Sequence, residues 1–426
     1  MIIALSTVFV IAFSWTLFHI GRSETDLRKL FFAALAMKIL AGISLGMLYT
    51  YHYRTGDTLL FFDNALRLVS LAQIDFASYT HYIFSSEFLA QSVEIEFFDS
   101  RAILMVKIVS IFGLFSFANY WVISVYMSAL SFLGAWFLVR QIMNAFPKAT
   151  APAIVAFLFF PSVVFWTSGV IKETLAMAGL YFLCGVLVRI WVSAKLNIVH
   201  IFLAMLSCYI LWSLKYYFAG IFFAIAAATV FYRFTLYPRF VDRKRAWGHL
   251  QWMGVFLILI LVVTLLHPNF YLNRMLEVLV ANYEAFIAFS EPGAAMRFHN
   301  LEPTLRSLVL NAPAALLGGL FRPLFFDARN LLAVFLSIEN AALLTLLIIS
   351  LRYASKLFTT NVSILLCAIV VYVILLAIFI TLSTPNFGTL ARYRVGYLPF
   401  FVFLISLSPP IVARLQKIIQ IPAKGN

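Results

Sequence analysis

Long apolar runs, mostly separated by short polar loops, form the dominant pattern along the chain. A helix crosses a bilayer with roughly 20 mostly apolar residues, and eleven runs have about this length. They are 2–20, 31–49, 120–140, 150–167, 170–191, 198–213, 216–233, 249–267, 331–350, 361–382 and 395–413. Two further stretches, 103–118 and 305–320, adjoin polar sequence and predict re-entrant or surface-lying helices. The pattern therefore predicts an all-α, polytopic transmembrane helical bundle.

The composition excludes the soluble and disordered classes. The 426 residues are 63% apolar and 11% charged, whereas a soluble domain averages about 45–50% apolar and about 25% charged residues. No internal repeat or long linker divides the chain, and the first apolar run lacks the basic start of a signal peptide. We therefore expect one continuous membrane domain that keeps its first span. The cysteines argue against a disulfide or metal framework, because all lie inside apolar runs: Cys184, Cys208 and Cys367.

The net charge of +14 is a topology signal rather than a sign of a nucleic-acid partner. Alternate loops, with Arg140 and the tail after 413, hold 17 Lys or Arg and three acidic residues, whereas the opposite side holds 13 and 14. Basic loops lie on the cytoplasmic side, and the run from Arg239 to Arg245 marks that side. The N-terminus is predicted outside and the C-terminus inside. Lys38 is the remaining cation and lies within the second span.

The long outer loop 50–102 concentrates carboxylates. Apolar residues alternate there with Asp57, Asp63 and Arg67, which is typical of a helix lying on the membrane surface. Asp57 follows Gly56 just after the second span, and so at the depth of the bilayer surface. We interpret other carboxylates of the loop as a solvated acidic surface: Asp75, Glu94, Glu96 and Asp99.

Two tight joints between predicted spans carry charges at the same depth. In the first, Lys172 and Glu173 begin the outgoing helix. A carboxylate there caps the positive helix end, yet charges at this depth are expensive unless they line a cavity. In the second joint, Lys215 either anchors the interface or serves the same cavity. We place four side chains in a substrate cavity: Trp166, Tyr216, Tyr217 and Glu339.

The C-terminal third adds two charged clusters. Arg322 precedes a predicted span in which Glu339 lies about 12–14 Å below the helix start, at ~1.5 Å per residue. A carboxylate at that depth must face the bundle interior and find a partner. Arg392 and Arg394 follow a Gly-Thr turn before the last span. Their guanidinium forks suit a phosphate clamp, although an interfacial anchor predicts the same position.

Residues 31–267 resemble the conserved module of the GT-C superfamily, the integral-membrane glycosyltransferases that use polyprenyl-phosphate-linked sugars. The order is a span, a long outer loop with an acidic residue at its start, and six spans in three pairs. Residues 56–65 resemble the loop pattern of the family, the joint 161–173 resembles its outer turn, and 392–394 resembles the arginines that some members place on the lipid phosphate. The resemblance leaves an extra N-terminal helix and loop (1–30) and a C-terminal region (268–426).

The resemblance implies an inverting glycosyltransferase that moves a sugar from a polyprenyl-phosphate donor to a glycan, lipid or protein acceptor. The reaction is expected at the outer face of a bacterial inner membrane, in envelope or surface polysaccharide assembly. The implied catalytic carboxylates are Asp57, Asp63 and Glu173. The implied donor phosphate-binding residues are Lys172, Lys215, Arg322, Arg392 and Arg394.

General chemistry points the same way. An acceptor hydroxyl must lose a proton to a placed base, and a leaving lipid phosphate needs cations aimed at it. Two alternatives stay open: a polysaccharide polymerase or ligase, and a transporter or flippase coupled through Glu339 and Glu173. A Walker loop is missing from the sequence, and the histidines lack metal-ligand spacing. No cofactor, a divalent cation included, therefore has a sequence signature.

Overall fold

The computed structural model describes residues 2–85, 99–237, 245–266, 271–357 and 362–419. Across these ranges the secondary structure is helical, without a β-strand. Eight of the described helices are long and apolar enough to cross a bilayer, so the chain is a multi-pass membrane protein. They are Ile3–Ser23, Arg28–Tyr53, Tyr120–Ala145, Lys172–Trp191, Tyr216–Leu236, Trp247–Leu265, Leu331–Leu351 and Ser363–Ser383.

The described helices, numbered in chain order, fall in two halves of the sequence. The first half holds α1 (Ile2–Ser23), α2 (Arg28–Met47), α3 (Asp57–Ile74), α4 (Phe76–Phe84), α5 (Ser100–Leu114), α6 (Tyr120–Ala145), α7 (Thr150–Ile154), α8 (Pro161–Trp166), α9 (Lys172–Trp191) and α10 (Ile198–Leu214). The second holds α11 (Tyr216–Phe231), α12 (Arg245–Leu266), α13 (Leu272–Phe289), α14 (Leu305–Phe321), α15 (Leu331–Leu351), α16 (Ala354–Leu357), α17 (Ser363–Ser383), α18 (Phe387–Tyr393), α19 (Leu398–Ser406) and α20 (Pro409–Ile419). Turns of π-helix extend α2, α7 and α11.

The first of two compact units contains Met1–Leu138, Val163–Cys184 and Ile198–Tyr216. In it α1 packs on α2 and α5, and α3 packs on α4 and α5. Helices α2 and α6 run antiparallel, because Phe31 stacks edge-on against Phe132 near one end and Gly46 lies against Tyr120 near the other. Gly42 of α2 and Ser128 of α6 lie against the nitrogen of Gly169, three residues before the start of α9.

The prediction of an amphipathic helix in the loop 50–102 is confirmed for α3, which is a helix with one buried face. Phe61, Ala65, Leu68 and Ala72 recur every three or four residues and are buried, while Asp63 is exposed. A position of α3 on the membrane surface stays a prediction.

The second compact unit contains Val139–Ser162, Gly185–Asn197 and Tyr217–Asn426. Its central helix is α17, which packs on α12, α13, α14 and α19. One core cluster joins Leu279 and Val280 of α13 to Ala315 of α14 and Leu382 of α17. Helix α13 is not among the helices predicted from the sequence, although Leu276, Leu279 and Val280 mark an apolar face.

Prolines break two of the predicted spans. The run 150–167 contains α7, a π-helical turn, the extended residue Phe160 and the six-residue α8. Pro161 disfavours helical backbone at the residue before it and removes an N–H donor. The run 395–413 bends by 101° between α19 and α20, at Pro409. Counting this bent pair once gives up to nine spans, so the predicted eleven are not confirmed.

Other predicted elements are present with slightly different bounds. The run 198–213 is the 17-residue α10, and the stretches 103–118 and 305–320 correspond to helices α5 and α14. Whether the last two are half-inserted stays a prediction. Most of the basic run used for orientation, 239–244, lies outside the described residues.

Candidate functional site

A tight turn, 167–171, presents the start of α9. The hydroxyl groups of Thr167 and Ser168 donate to the carbonyls of Val163 and Val164, each at 2.6 Å, and so occupy two acceptors of α8. Gly169 then adopts a left-handed backbone with φ of 74°. Its N–H donates to Ser128 Oγ at 2.9 Å. The chain therefore re-enters a helix at Lys172 with its direction fixed.

Glu173, in the first turn of α9, forms a buried ion pair. Lys215, which follows α10, places Nζ 2.5 Å from Glu173 Oε1, and the two side chains are 5% and 0% exposed. The positive end of α9 also stabilises the carboxylate. Glu173 is thus held in the interior by a dedicated partner. Its predicted catalytic role stays a prediction, and this geometry favours a positioning role.

Lys172 lies at the same helix start but is more open. Its Nζ is 3.6 Å from Asp99 Oδ2, its side chain is 17% exposed, and it lies 5.3 Å from the ring centre of Phe61. Its charge also interacts with those of Asp57, Glu173 and Lys215. Lys172 is therefore the cation at which the charged groups of three helices converge.

Asp99 completes the site. Its side chain is 45% exposed, as the interpretation of a solvated carboxylate predicts, but it also pairs with Arg101 and Lys172, which was not predicted. Its Oδ1 accepts from Arg101 Nε at 3.1 Å, and its Oδ2 faces Lys172. Partial burial raises the pKa of the Asp99 carboxyl, but the hydrogen bond and charge of Arg101 and the charge of Lys172 outweigh it and hold that pKa below its ordinary value. Asp99 is therefore an ionised carboxylate at neutral pH.

Asp57 is fixed at the start of α3. Gly56 precedes it with φ of 132°, and the buried Thr58 hydroxyl hydrogen-bonds the Tyr120 hydroxyl at 2.8 Å. The Asp57 side chain is exposed and within electrostatic range of Lys172. Asp63 lies further along α3, and the described contacts do not bring it to Lys172.

The N-terminal ends of α3, α5 and α9 meet at this cluster. Each carries a carboxylate at its start, namely Asp57, Asp99 and Glu173. Helix N-termini bind anions through free N–H groups and a positive dipole end. Three cations accompany them: Arg101, Lys172 and Lys215. The cluster is therefore balanced in formal charge and surrounded by donors suited to an incoming anion.

The predicted cavity residues near this cluster are only partly open. Trp166 is 4% exposed and packs edge-on against Phe165. Tyr216 is covered by the Arg101 guanidinium, whose central carbon lies 5.3 Å from the ring centre. Tyr217 belongs to the second unit, where it contacts Phe379 and Tyr393.

A second polar network lies in the second unit. Arg394 is fully buried and donates to Asn340 Oδ1 at 2.7 Å and Glu339 Oε1 at 2.9 Å. Glu339 Oε2 accepts from the Ser162 hydroxyl at 2.9 Å and from its N–H at 3.2 Å. The prediction that Glu339 faces the interior and finds a partner is confirmed. Both terminal nitrogens of Arg394 already serve protein acceptors, so its phosphate-binding role stays a prediction.

The other predicted phosphate ligands are also in the second unit. Arg322 donates from Nε to Asp327 Oδ2 at 2.9 Å and covers the Phe387 ring at 4.9 Å. Burial raises the pKa of the Asp327 carboxyl, but the hydrogen bonds from Arg322 and the Leu324 N–H, together with the charge of Arg322, outweigh burial and lower that pKa. Asp327 is therefore a protein partner of Arg322. Arg392 lies in α18 and is buried, with 8% of its surface exposed.

Sequence reasoning missed Asp99, Arg101, Ser162 and Asn340. The spacing of Asp99 and Arg101 before an apolar run marks a helix start, which was an available signal. Nothing in the local sequence points to Ser162 or Asn340, whose partners are distant in the chain. Among the described residues, no group of three or more His, Cys, Asp or Glu side chains lies close enough to hold a metal ion.

Comparison with known protein families, with curated proteins and with solved structures gave no match.

Proposed function

We propose that the protein is a membrane glycosyltransferase that moves a sugar from a polyprenyl-phosphate donor to an acceptor at the outer face of a bacterial inner membrane. The observation that carries the proposal is the meeting of three helix N-termini, three cations and three carboxylates around Lys172. Charged groups buried among membrane helices are expensive and usually mark function, and the side chains of Glu173 and Lys215 are 0% and 5% exposed. The donor carries its phosphate at the membrane surface, the depth predicted for these helix starts.

The cluster supplies both kinds of group that the reaction needs. The leaving lipid phosphate gains negative charge, and preorganised cations and helix N-termini stabilise such charge. Lys172 is assigned to this role because it is the more exposed of the two lysines in the cluster: its side chain is 17% exposed, against 5% for Lys215. The acceptor hydroxyl must lose its proton to a carboxylate as it attacks the anomeric carbon.

Asp57 is the first choice for the base. It is exposed at a helix start and close enough to Lys172 to interact with it. Asp99 is the second choice, because Arg101 and Lys172 already hold its two oxygens. Glu173 and Lys215 are assigned to positioning the head of α9, because the pair is buried.

A second candidate function rests on the network in the other unit. Glu339 and Arg394 form an ion pair inside apolar helices, with side chains 7% and 0% exposed. Intramembrane ion pairs of this kind occur in ion-coupled transporters. In a transporter or flippase, Glu339 would be the coupling group, and the charged cluster at α9 would bind the anionic cargo.

Single carboxylate-to-amide variants separate the two functions. In purified protein reconstituted with a polyprenyl-phosphate sugar, Asp57→Asn is expected to abolish sugar transfer while donor binding persists. Glu284→Gln, which alters an exposed carboxylate of α13, is the control and is expected to transfer at the wild-type rate. If the protein is instead a transporter, it carries lipid-linked sugar across the membrane of reconstituted vesicles, and Glu339→Gln abolishes this transport. Normal sugar transfer by Asp57→Asn would remove Asp57 as the base.

A further inference from the structure

Lys38 is a buried lysine in the middle of an apolar helix. It follows the start of α2 by ten residues, or about 15 Å along the helix, and it is 4% exposed. Its ammonium group donates to Thr167 Oγ. The Thr167 hydroxyl in turn donates to the Val163 carbonyl at 2.6 Å. The side-chain nitrogen of Lys38 thus donates to one hydroxyl of the turn 167–171.

No carboxylate of the described part of the chain pairs with Lys38. An ionisable side chain at this depth is costly, and such residues normally pair with an opposite charge or serve a function. An apolar side chain of similar length, such as Met, fills the same space without that cost. Packing alone therefore gives no reason for a lysine at this position.

The contact partner of Lys38 explains its presence better. The turn 167–171 is held at two points from two helices: Lys38 of α2 contacts Thr167, and Ser128 of α6 accepts from the Gly169 N–H at 2.9 Å. Gly42, one turn after Lys38, leaves no room for a Cβ, which would lie 2.2 Å from Ser128 Oγ and 3.0 Å from the Gly169 nitrogen. Helices α2 and α6 therefore close tightly around this turn.

The turn leads directly into the charged cluster. Lys172 and Glu173 follow Thr167 by five and six residues, so a displacement at Thr167 moves the head of α9. We propose that Lys38 is a positioning residue, which fixes Thr167 and through it the orientation of Lys172 and Glu173. Its effect on catalysis rests on the proposed glycosyltransferase function, whereas its effect on the turn does not.

Two isosteric changes test the contact from both sides. Lys38→Met and Thr167→Val each remove it, and Thr167→Ser retains the hydroxyl. Lys107→Met is the control lysine, because Lys107 donates to carbonyls of Ile83 and Ser85, away from the turn. Each variant is compared with wild-type protein in nanodiscs by amide hydrogen exchange of residues 167–171, by thermal unfolding and by transfer from a polyprenyl-phosphate sugar.

We expect Lys38→Met and Thr167→Val to speed exchange in the turn at least about fivefold. The turnover number falls at least about tenfold, equivalent to ~1.4 kcal/mol. The double variant shows no loss beyond that of Thr167→Val, because Thr167→Val already removes the contact with Lys38 together with the hydrogen bond to the Val163 carbonyl. Lys38→Met does not lower the unfolding temperature, since it replaces a buried ionisable group by an apolar side chain. Thr167→Ser and Lys107→Met leave exchange in the turn as in the wild type.

Two results overturn the proposal. If residues 167–171 of Lys38→Met exchange their amide hydrogens at the wild-type rate, Lys38 does not fix the turn. A lower unfolding temperature with faster exchange across all helices shows that Lys38 supports the fold in general rather than the turn. If the wild-type protein transfers no sugar from any such donor, the proposed function fails, and exchange and unfolding still decide the role of Lys38.

Discussion

The buried pair between Glu173 and Lys215 gives the sharpest prediction about stability. The perturbation is the removal of one charge at a time, by Glu173→Gln or Lys215→Met, and then of both. At the observed 2.5 Å, the attraction between unit charges is about 7 kcal/mol at an effective dielectric constant of about 20. Most of this attraction offsets the desolvation of two buried groups, so the net value of the intact pair is small.

The single variants are nevertheless expected to be strongly destabilised. Each leaves an uncompensated charge in the interior, and breaking a buried pair in this way typically costs about 3–5 kcal/mol. The double variant removes both charges and is expected to lie within about 2 kcal/mol of the wild type. The coupling energy from the four proteins should therefore be at least about 3 kcal/mol.

The assay is the free energy of unfolding by denaturant in mixed micelles. The pair of Asp99 and Arg101 is the matched control, because its side chains are 45% and 43% exposed. An exposed pair contributes at most about 1 kcal/mol, so its coupling energy should be clearly smaller. Single variants of Glu173 and Lys215 that each lose less than about 1 kcal/mol would refute the reasoning.

Three further predictions address topology, the second polar network and acid stability. Reporter fusions at residues 243 and 285 should lie on opposite sides of the membrane, and fusions that report the same side contradict the predicted topology. Arg394→Lys is expected to lower the free energy of unfolding by about 1–3 kcal/mol, because an ammonium group cannot reproduce the guanidinium hydrogen bonds to two acceptors. A variant as stable as the wild type would contradict a stabilising role for these hydrogen bonds. The lowered pKa of Asp327 means that its ion pair with Arg322 stabilises the protein above the ordinary carboxyl pKa and is lost as pH falls through the lowered value. Asp327→Asn should therefore flatten the decline of stability measured on acidification, and an unchanged decline contradicts the pairing.

Hydropathy predicted the helical membrane class, because long apolar runs leave few other structures. It also located most single spans, since a run such as 331–350 differs by only one residue from α15. It failed at Pro161 and Pro409, where backbone geometry overrides apolar composition. It also missed α13, whose apolar face is too narrow to raise the hydropathy of the loop around it.

The candidate site was predictable only where chemistry is local. Lys172 and Glu173 stood out because two charges begin one helix. The roles of Asp99 and Lys38 depend on partners 73 and 129 residues away, and no periodicity within one segment encodes such contacts. The same holds for Arg394, whose acceptors Glu339 and Asn340 come from another helix.

The central claim is that the cluster around Lys172 binds the phosphate of a lipid-linked sugar. The most direct test is an electron-microscopy map of the protein in nanodiscs with a polyprenyl phosphate. The proposal predicts phosphate density about 3 Å from Lys172 Nζ, and loss of that density in Lys172→Met. Phosphate density at another site, with the Lys172 cluster empty at saturating lipid, would contradict it.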